Sequence, residues 1–221
     1  MKKWTIPILF CVISLASLGS AAAQTFDISS GGAPTITGAL GGSVTGSSSV
    51  LNDLSVTINF GEVSPANTNS IVKVVVPIAI RSNREYQVVV SITSSTNANV
   101  QAIQRSDIGF GANNFRSMGA NARVCTASNH IFYSPFNNDP ASNVTINAAG
   151  RATYPSTLNN IGASTVILSG PRLSRDISPV RQTDNGYIFD AIFTIVPQFY
   201  AAGSTTATLT FTISAGPIAP C

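Results

Sequence analysis

Residues 205–213 read TTATLTFTI, and this stretch decides the fold. Ala207, Leu209, Phe211 and Ile213 fall on one side of an extended chain, and Thr206, Thr208, Thr210 and Thr212 on the other. A period of two is the mark of a β-strand with one buried and one wet face; a helix would spread the same residues around its circumference. Just upstream, YIFDAIFTIV at 187–196 is almost continuously apolar, as expected of a strand in a sandwich core, and PQFYAAGS at 197–204 separates the two. Within it Asp190 has Phe189 and Ala191 pointing the opposite way, so a place on the wet face is expected.

The same signal recurs toward the N-terminus. Leu54, Val56, Ile58 and Phe60 alternate with Ser55, Thr57 and Asn59, and Tyr86, Val88, Val90 and Ile92 repeat the pattern. Between them IVKVVVPIAI at 71–80 is β-branched and apolar, with Pro77 requiring an edge, a bulge or a break. Val166–Leu168 reads as another strand. The region from about 100 to 160 is rich in Asn and turn formers, including Gly109–Asn114 and Phe136–Pro140, with room for short strands at Arg123–Thr126, His130–Tyr133 and Asn143–Asn147. The stretch 170–185 gathers Arg172, Arg175, Asp176, Arg181 and Asp184 and reads as a solvated loop. No stretch after residue 23 carries a 3.6 period. The expected fold is all-β, an antiparallel β-sandwich with long Asn/Gly-rich loops, over a single domain at 51–221.

Residues 1–23 read as a signal peptide. Lys2 and Lys3 precede an apolar run from Trp4 to Leu18, and Ala21-Ala22-Ala23 supplies the small residues of a cleavage site before Gln24. The run is shorter than the roughly 20 residues that a membrane span needs, and no second one follows. The expected location is outside the cytoplasm: periplasmic, extracellular or on the cell surface. Residues 24–50 (QTFDISSGGAPTITGALGGSVTGSSSV) read as a Gly/Ser/Thr-rich N-terminal arm in which Phe26, Ile28, Ile36, Leu40 and Val44 are the larger apolar side chains.

Composition excludes several classes of function. Charged residues make up 10% of the 221, against about 25% in ordinary soluble domains. There is one His and there are three Cys, too few for a multi-histidine metal site or a zinc ribbon. Removing Lys2 and Lys3 with the signal leaves a nearly neutral chain, with no basic surface for nucleic acid. No cofactor motif is present. Cys11 leaves with the signal, so Cys125 and Cys221 remain; in an exported protein they pair as a disulfide within the chain or link two chains.

No catalytic constellation stands out. His130 lies five residues after Cys125, but a cysteine nucleophile needs a reduced thiol, and no G-x-S-x-G elbow accompanies the histidine for a serine one. Calcium-loop spacing is absent. Tyr133, Phe136, Tyr154, Phe199 and Tyr200 would serve packing more readily than sugar stacking. Asn143-Val144-Thr145 matches the N-glycosylation pattern. The chain is expected not to be an enzyme.

The order of parts, and Ala202-Gly203-Ser204-Thr205-Thr206-Ala207-Thr208-Leu209-Thr210-Phe211-Thr212-Ile213 in particular, resembles bacterial fimbrial or pilus subunits and the spore-coat-U-like proteins. Their last strand commonly reads A-G-x-Y-x-A-x-L-x-F-x-I; Thr205 stands here at the Tyr position. The resemblance implies an Ig-like, fimbrial-type sandwich and a structural, adhesive surface role. Copies would self-associate, or join other surface subunits, by adding a strand from the arm, with Phe26, Ile28, Ile36, Leu40 and Val44 as donor-strand anchors. The alternative is a monomeric extracellular module that binds carbohydrate or protein, its ligand a glycan or a host or matrix component.

Overall fold

A computed structural model of the chain describes residues 26–38, 42–50, 52–61, 63, 71–96, 103–118, 129–173, 186–198, 200 and 205–219. Its strands, in chain order, are β1 (Phe26–Ser30), β2 (Thr35–Thr37), β3 (Ser43–Val50), β4 (Asp53–Asn59), β5 (Val72–Ser82), β6 (Tyr86–Thr96), β7 (Gly109–Met118), β8 (Ile131–Phe132), β9 (Thr145–Ile146), β10 (Ala152–Thr153), β11 (Thr165–Gly170), β12 (Gly186–Ile195) and β13 (Thr206–Ala215). One sheet runs β1–β5–β12–β7, with β2 continuing the β1 side of β5; the other runs β3–β4–β13–β6–β11–β8; every pairing is antiparallel. The result is an all-β sandwich. No helix among the described residues is long and apolar enough to cross a membrane.

The alternation in β4 and β13 works as the sequence dictates. Leu54, Val56 and Ile58 on β4, and Ala207, Leu209, Phe211 and Ile213 on β13, are buried, and the residues between them are half-exposed. They share one core with Val72, Val74, Ile78 and Ile80 of β5 and with Phe189, Phe193 and Ile195 of β12. Each of the larger side chains, Val, Leu, Ile or Phe, stabilises the fold by about 1.5–3 kcal/mol on burial. On the wet face the rows run hydroxyl to hydroxyl: Thr57 meets Thr208 at 2.9 Å, and Thr210 meets Thr93 at 2.7 Å and Ser55 at 3.3 Å.

Pro77 lies inside the first sheet, between β12 and the β1/β2 side. It is tolerated because its neighbour is broken there. Ser30 of β1 pairs with Ile78 and Thr35 of β2 with Val75, leaving only Gly31, whose N–H donates to the Pro77 carbonyl at 2.9 Å. In an antiparallel ladder a residue's N–H and C=O face the same side. The donor that proline lacks would therefore have pointed into this break.

Residues 26–50, which the glycines suggest is an arm apart from the domain, join both sheets of their own chain. β1 and β2 lie end to end along β5, β1 sits near β4 and β13 of the facing sheet, and β3 pairs with β4. The chain leaves β5 at Gly38, whose φ is 80° and whose position would press a Cβ to 2.5 Å from the Ile71 carbonyl oxygen. Only glycine suits both conditions.

The stretch Gly109–Asn114, read as a turn, is instead the start of β7. Its glycines are there for close approach. Pro140 and Tyr154 pack on Gly109, and the main chain of Asn138 passes directly over Gly111. This segment also takes up the free side of β7: Phe110 N donates to Ser156 O at 3.1 Å and Ala112 N to Phe136 O at 2.7 Å. Lys73 on β5 grips it at Asp139, 2.6 Å away.

Candidate functional site

The expected donor-strand anchors all lie in the N-terminal arm. Of the expected anchors, Ile28 is fully buried, and Phe26, Ile36 and Val44 are partly buried against the core of their own chain; Leu40 lies outside the described residues. Phe26 and Ile28 lie on β1, Ile36 on β2 and Val44 on β3, so the arm provides the outermost strand of each sheet on one side of the sandwich. β1 is further tied to β5 by Arg81, whose Nη1 donates to Asp27 Oδ2 at 2.6 Å and to Ser29 Oγ at 3.3 Å.

The opposite side of the sandwich is closed by aromatic rings around His130. Phe115 of β7 stacks on Tyr187 of β12, with centroids 4.4 Å apart and planes 8° from parallel. The His130 ring lies 4.6 Å from Phe115, 5.1 Å from Tyr187 and 5.9 Å from Tyr86. Phe132 of β8 meets Phe115 edge-on at 5.6 Å. Gly170 leaves room for the imidazole, because any Cβ there would overlap it. Tyr86 is wholly buried, and burial, followed by the nearby Tyr187, pushes its phenol well above the ordinary value. An imidazole packed among these rings joins sheet to sheet. Cys125 and Cys221 both lie outside the described residues.

Asp190 departs from expectation. It is only 6% exposed, not on a wet face. β12 is central and buried along nearly its whole length on both faces, so alternation alone does not bring a residue to water here. Its carboxylate is held by β7: Arg116 Nη1 donates to Oδ1 at 2.8 Å and Asn114 Nδ2 to Oδ2 at 2.6 Å. The ladder between β12 and β7 shifts register between Ile188 and Asp190, and Asn114 has a φ of 56°. The bulge aims two donors at one buried acid. The sequence contains the signal for this, a lone acid in an apolar strand, but not the identity of its partners.

The aromatic side chains divide by burial. Phe136 and Tyr154 are buried, Tyr133 Oη shares a hydrogen bond with Ser169 Oγ at 2.9 Å, and Tyr154 Oη accepts from Val196 N at 2.9 Å. Phe199 lies outside the described residues. Burial pushes the Tyr154 phenol up to about 12 and raises that of Tyr200, to which the Asp107 carboxylate adds. Asn143 is exposed at the foot of the β9–β10 hairpin, its Nδ2 donating to the Asp139 carbonyl at 2.8 Å. No cluster of three or more His, Cys, Asp or Glu suited to a metal occurs among the described residues.

Neither protein-family models nor searches of curated proteins and solved structures yield a match to this chain.

Proposed function

We propose that the chain is a secreted structural subunit of a surface assembly, whose copies join by strand addition with the N-terminal arm as the exchanged element. One observation carries the reading. β1 and β2 lie as outermost strands on β5, and Ile28 is the only fully buried residue of the two strands. A segment attached by one row of main-chain hydrogen bonds, the Asp27–Arg81 ion pair and one fully buried side chain, with Phe26 and Ile36 partly buried beside it, can make the same contacts on a neighbour. The glycine turn at Gly38 marks where it would part from its own domain. The near-neutral, lysine-poor surface supports close packing between copies, since few charges have to be desolvated.

Asp27 and Arg81 sit opposite each other on β1 and β5, at the ~5.5 Å separation of Cα atoms that a disulfide accepts. Asp27→Cys and Arg81→Cys proteins, refolded together, should yield a 27–81 disulfide between chains, identified by peptide mass mapping. If the doubly substituted chain cross-links internally while the mixture gives no such link, the arm is not exchanged. A monomeric binding module would behave in that second way.

A further inference from the structure

β5 offers its outer neighbour one place unlike the rest. At a hydrogen-bonded position of an antiparallel ladder the two opposed residues exchange both main-chain bonds. Gly31 and Pro77 are so opposed, one step beyond the Ser30–Ile78 pair; Gly31 N donates to Pro77 O at 2.9 Å, and proline has no N–H to return. From there the arm takes up slack. Residues 31–34 (GGAP) stand opposite Val76 and Pro77 alone before Thr35 pairs with Val75.

Gly31 is also pressed against the next strand. A Cβ there would come within 2.9 Å of Ile188 Cγ2 on β12, 3.1 Å of Ala79 N and 3.1 Å of the Pro77 carbonyl carbon. Two of these atoms are main chain, and the third belongs to a β-branched side chain that is stiff at its first torsion. Ser29, on the same face two residues earlier, stands opposite Ala79 with its side chain in place. One register follows. A strand of Ser, Thr and Gly slips readily, because little distinguishes one alignment from the next. A slip of two residues keeps Ile28 toward the core but sets Ser29 or Ala33 over Pro77, each with a Cβ. A slip of one sets Ser30 or Gly32 there and turns Ile28, the fully buried side chain of β1, away from the core.

We propose that Gly31 is the specificity-determining residue of strand addition: β5 admits an arm only with a residue lacking a Cβ over Pro77, and the occupant is the arm of a second copy of this chain. This specificity rests on arm exchange as the function. It adds the feature that separates a matching arm from other extended segments, a clash built against the wrong sequence with Pro77 and Ile188 as its fixed parts. The occupant is seen in place, since the chain's own arm fills the site.

The test uses the mature chain carrying both Asp27→Cys and Arg81→Cys, in which the 27–81 disulfide requires the native register. Its equilibrium against glutathione measures docking of the arm. Gly31→Val should weaken it at least about tenfold and the milder Gly31→Ala at least about threefold. Ser29→Val, which adds the same side chain on the same face, should leave it within about twofold. Ile188→Ala should recover part of the loss caused by Gly31→Ala. Should Gly31→Val fail to fold, Gly31→Ala decides. An undiminished link in the Gly31 variants, or an equal fall with Ser29→Val, overturns the proposal. In mixtures of singly substituted chains, Gly31→Val should abolish the link between chains when it stands in the Asp27→Cys chain, and leave it when it stands in the Arg81→Cys chain. A parent mixture with no link between chains refutes arm exchange, while the link within the chain still tells whether Gly31 sets the register.

Discussion

Arg116 reaches across the β7–β12 bulge to within 2.8 Å of the Asp190 carboxylate, which is otherwise sealed from water. The arginine is 40% exposed and the aspartate side chain 9%, so the pair brings one solvated charge to one desolvated charge. Removing the solvated partner strands the other, although water can partly take its place. Arg116→Ala should lower stability by about 1–2 kcal/mol. In an Asp190→Asn background the same substitution should cost less than half as much. A denaturant double-mutant cycle checks this, and equal costs in both backgrounds would show that the pair carries no coupling.

Gly111 and Gly46 test packing against pairing. A Cβ on Gly111 would run into the main chain of Asn138, which cannot swing aside, whereas on Gly46 the nearest atom would be Ser55 O at 3.9 Å. Gly111→Ala should cost about 2–3 kcal/mol and lower the melting temperature by roughly 4–10 °C. Gly46→Ala should leave it within a degree or two. Thermal unfolding followed by circular dichroism reads both.

Alkaline pH should unfold the protein through its buried phenols. Burial raises Tyr154 to about 12, with the main-chain bond from Val196 opposing and the Asp107 carboxylate adding. The unfolded phenol titrates near 10, so between these values the native state holds the proton that the unfolded chain has released. Stability is complete below about pH 10 and falls as pH rises toward 12. Tyr154→Phe should remove up to about 1.4 kcal/mol per pH unit from that slope. Urea midpoints measured from pH 9 to 12 give the answer; an unchanged slope would assign the alkaline loss to other groups.

Ile28 should govern release of the arm. Its truncation removes the one fully buried side chain of β1. Ile28→Ala should cost about 2–4 kcal/mol, and it should do so locally. Hydrogen exchange should accelerate in β1 and in the facing half of β5 at Ile78–Ser82, while β4 and β13 stay protected. Uniform acceleration in all four strands would mean that β1 is inseparable from the core.

How much of this was legible in the sequence follows from which neighbours each strand has. β4, β6 and β13 have a wet face, so period-two alternation located them to within a few residues; β5 and β12 are apolar enough to stand out by composition. β7 was hidden because its Gly109 and Gly111 serve a segment some thirty residues further on, and glycine reads locally as a turn. β1 and β2 showed only as short alternations around Phe26, Ile28 and Ile36, and β3 was hidden, because their pairing with β5 and β4 is a tertiary fact that Ser, Thr and Gly do not announce. His130 was visible as the lone histidine, but not its place among Phe115, Tyr187 and Tyr86, which come from three distant strands. Asp190 was visible as an anomaly and misplaced, because the wet-face rule holds only where one face of the sheet is open.

β13 occupies the middle of its sheet, between β4 and β6, although it comes last of all the strands in chain order. The ribosome releases β4 and β6 long before the strand that separates them. Until residues 206–215 emerge, the six-stranded sheet exists only as two unconnected fragments, and the core side chains of the facing sheet have nothing to close against. Loop closure on this scale is slow. The six-stranded sheet is therefore completed only when the last strand enters between β4 and β6, so the order of the chain makes the closing of this sheet a late event of folding.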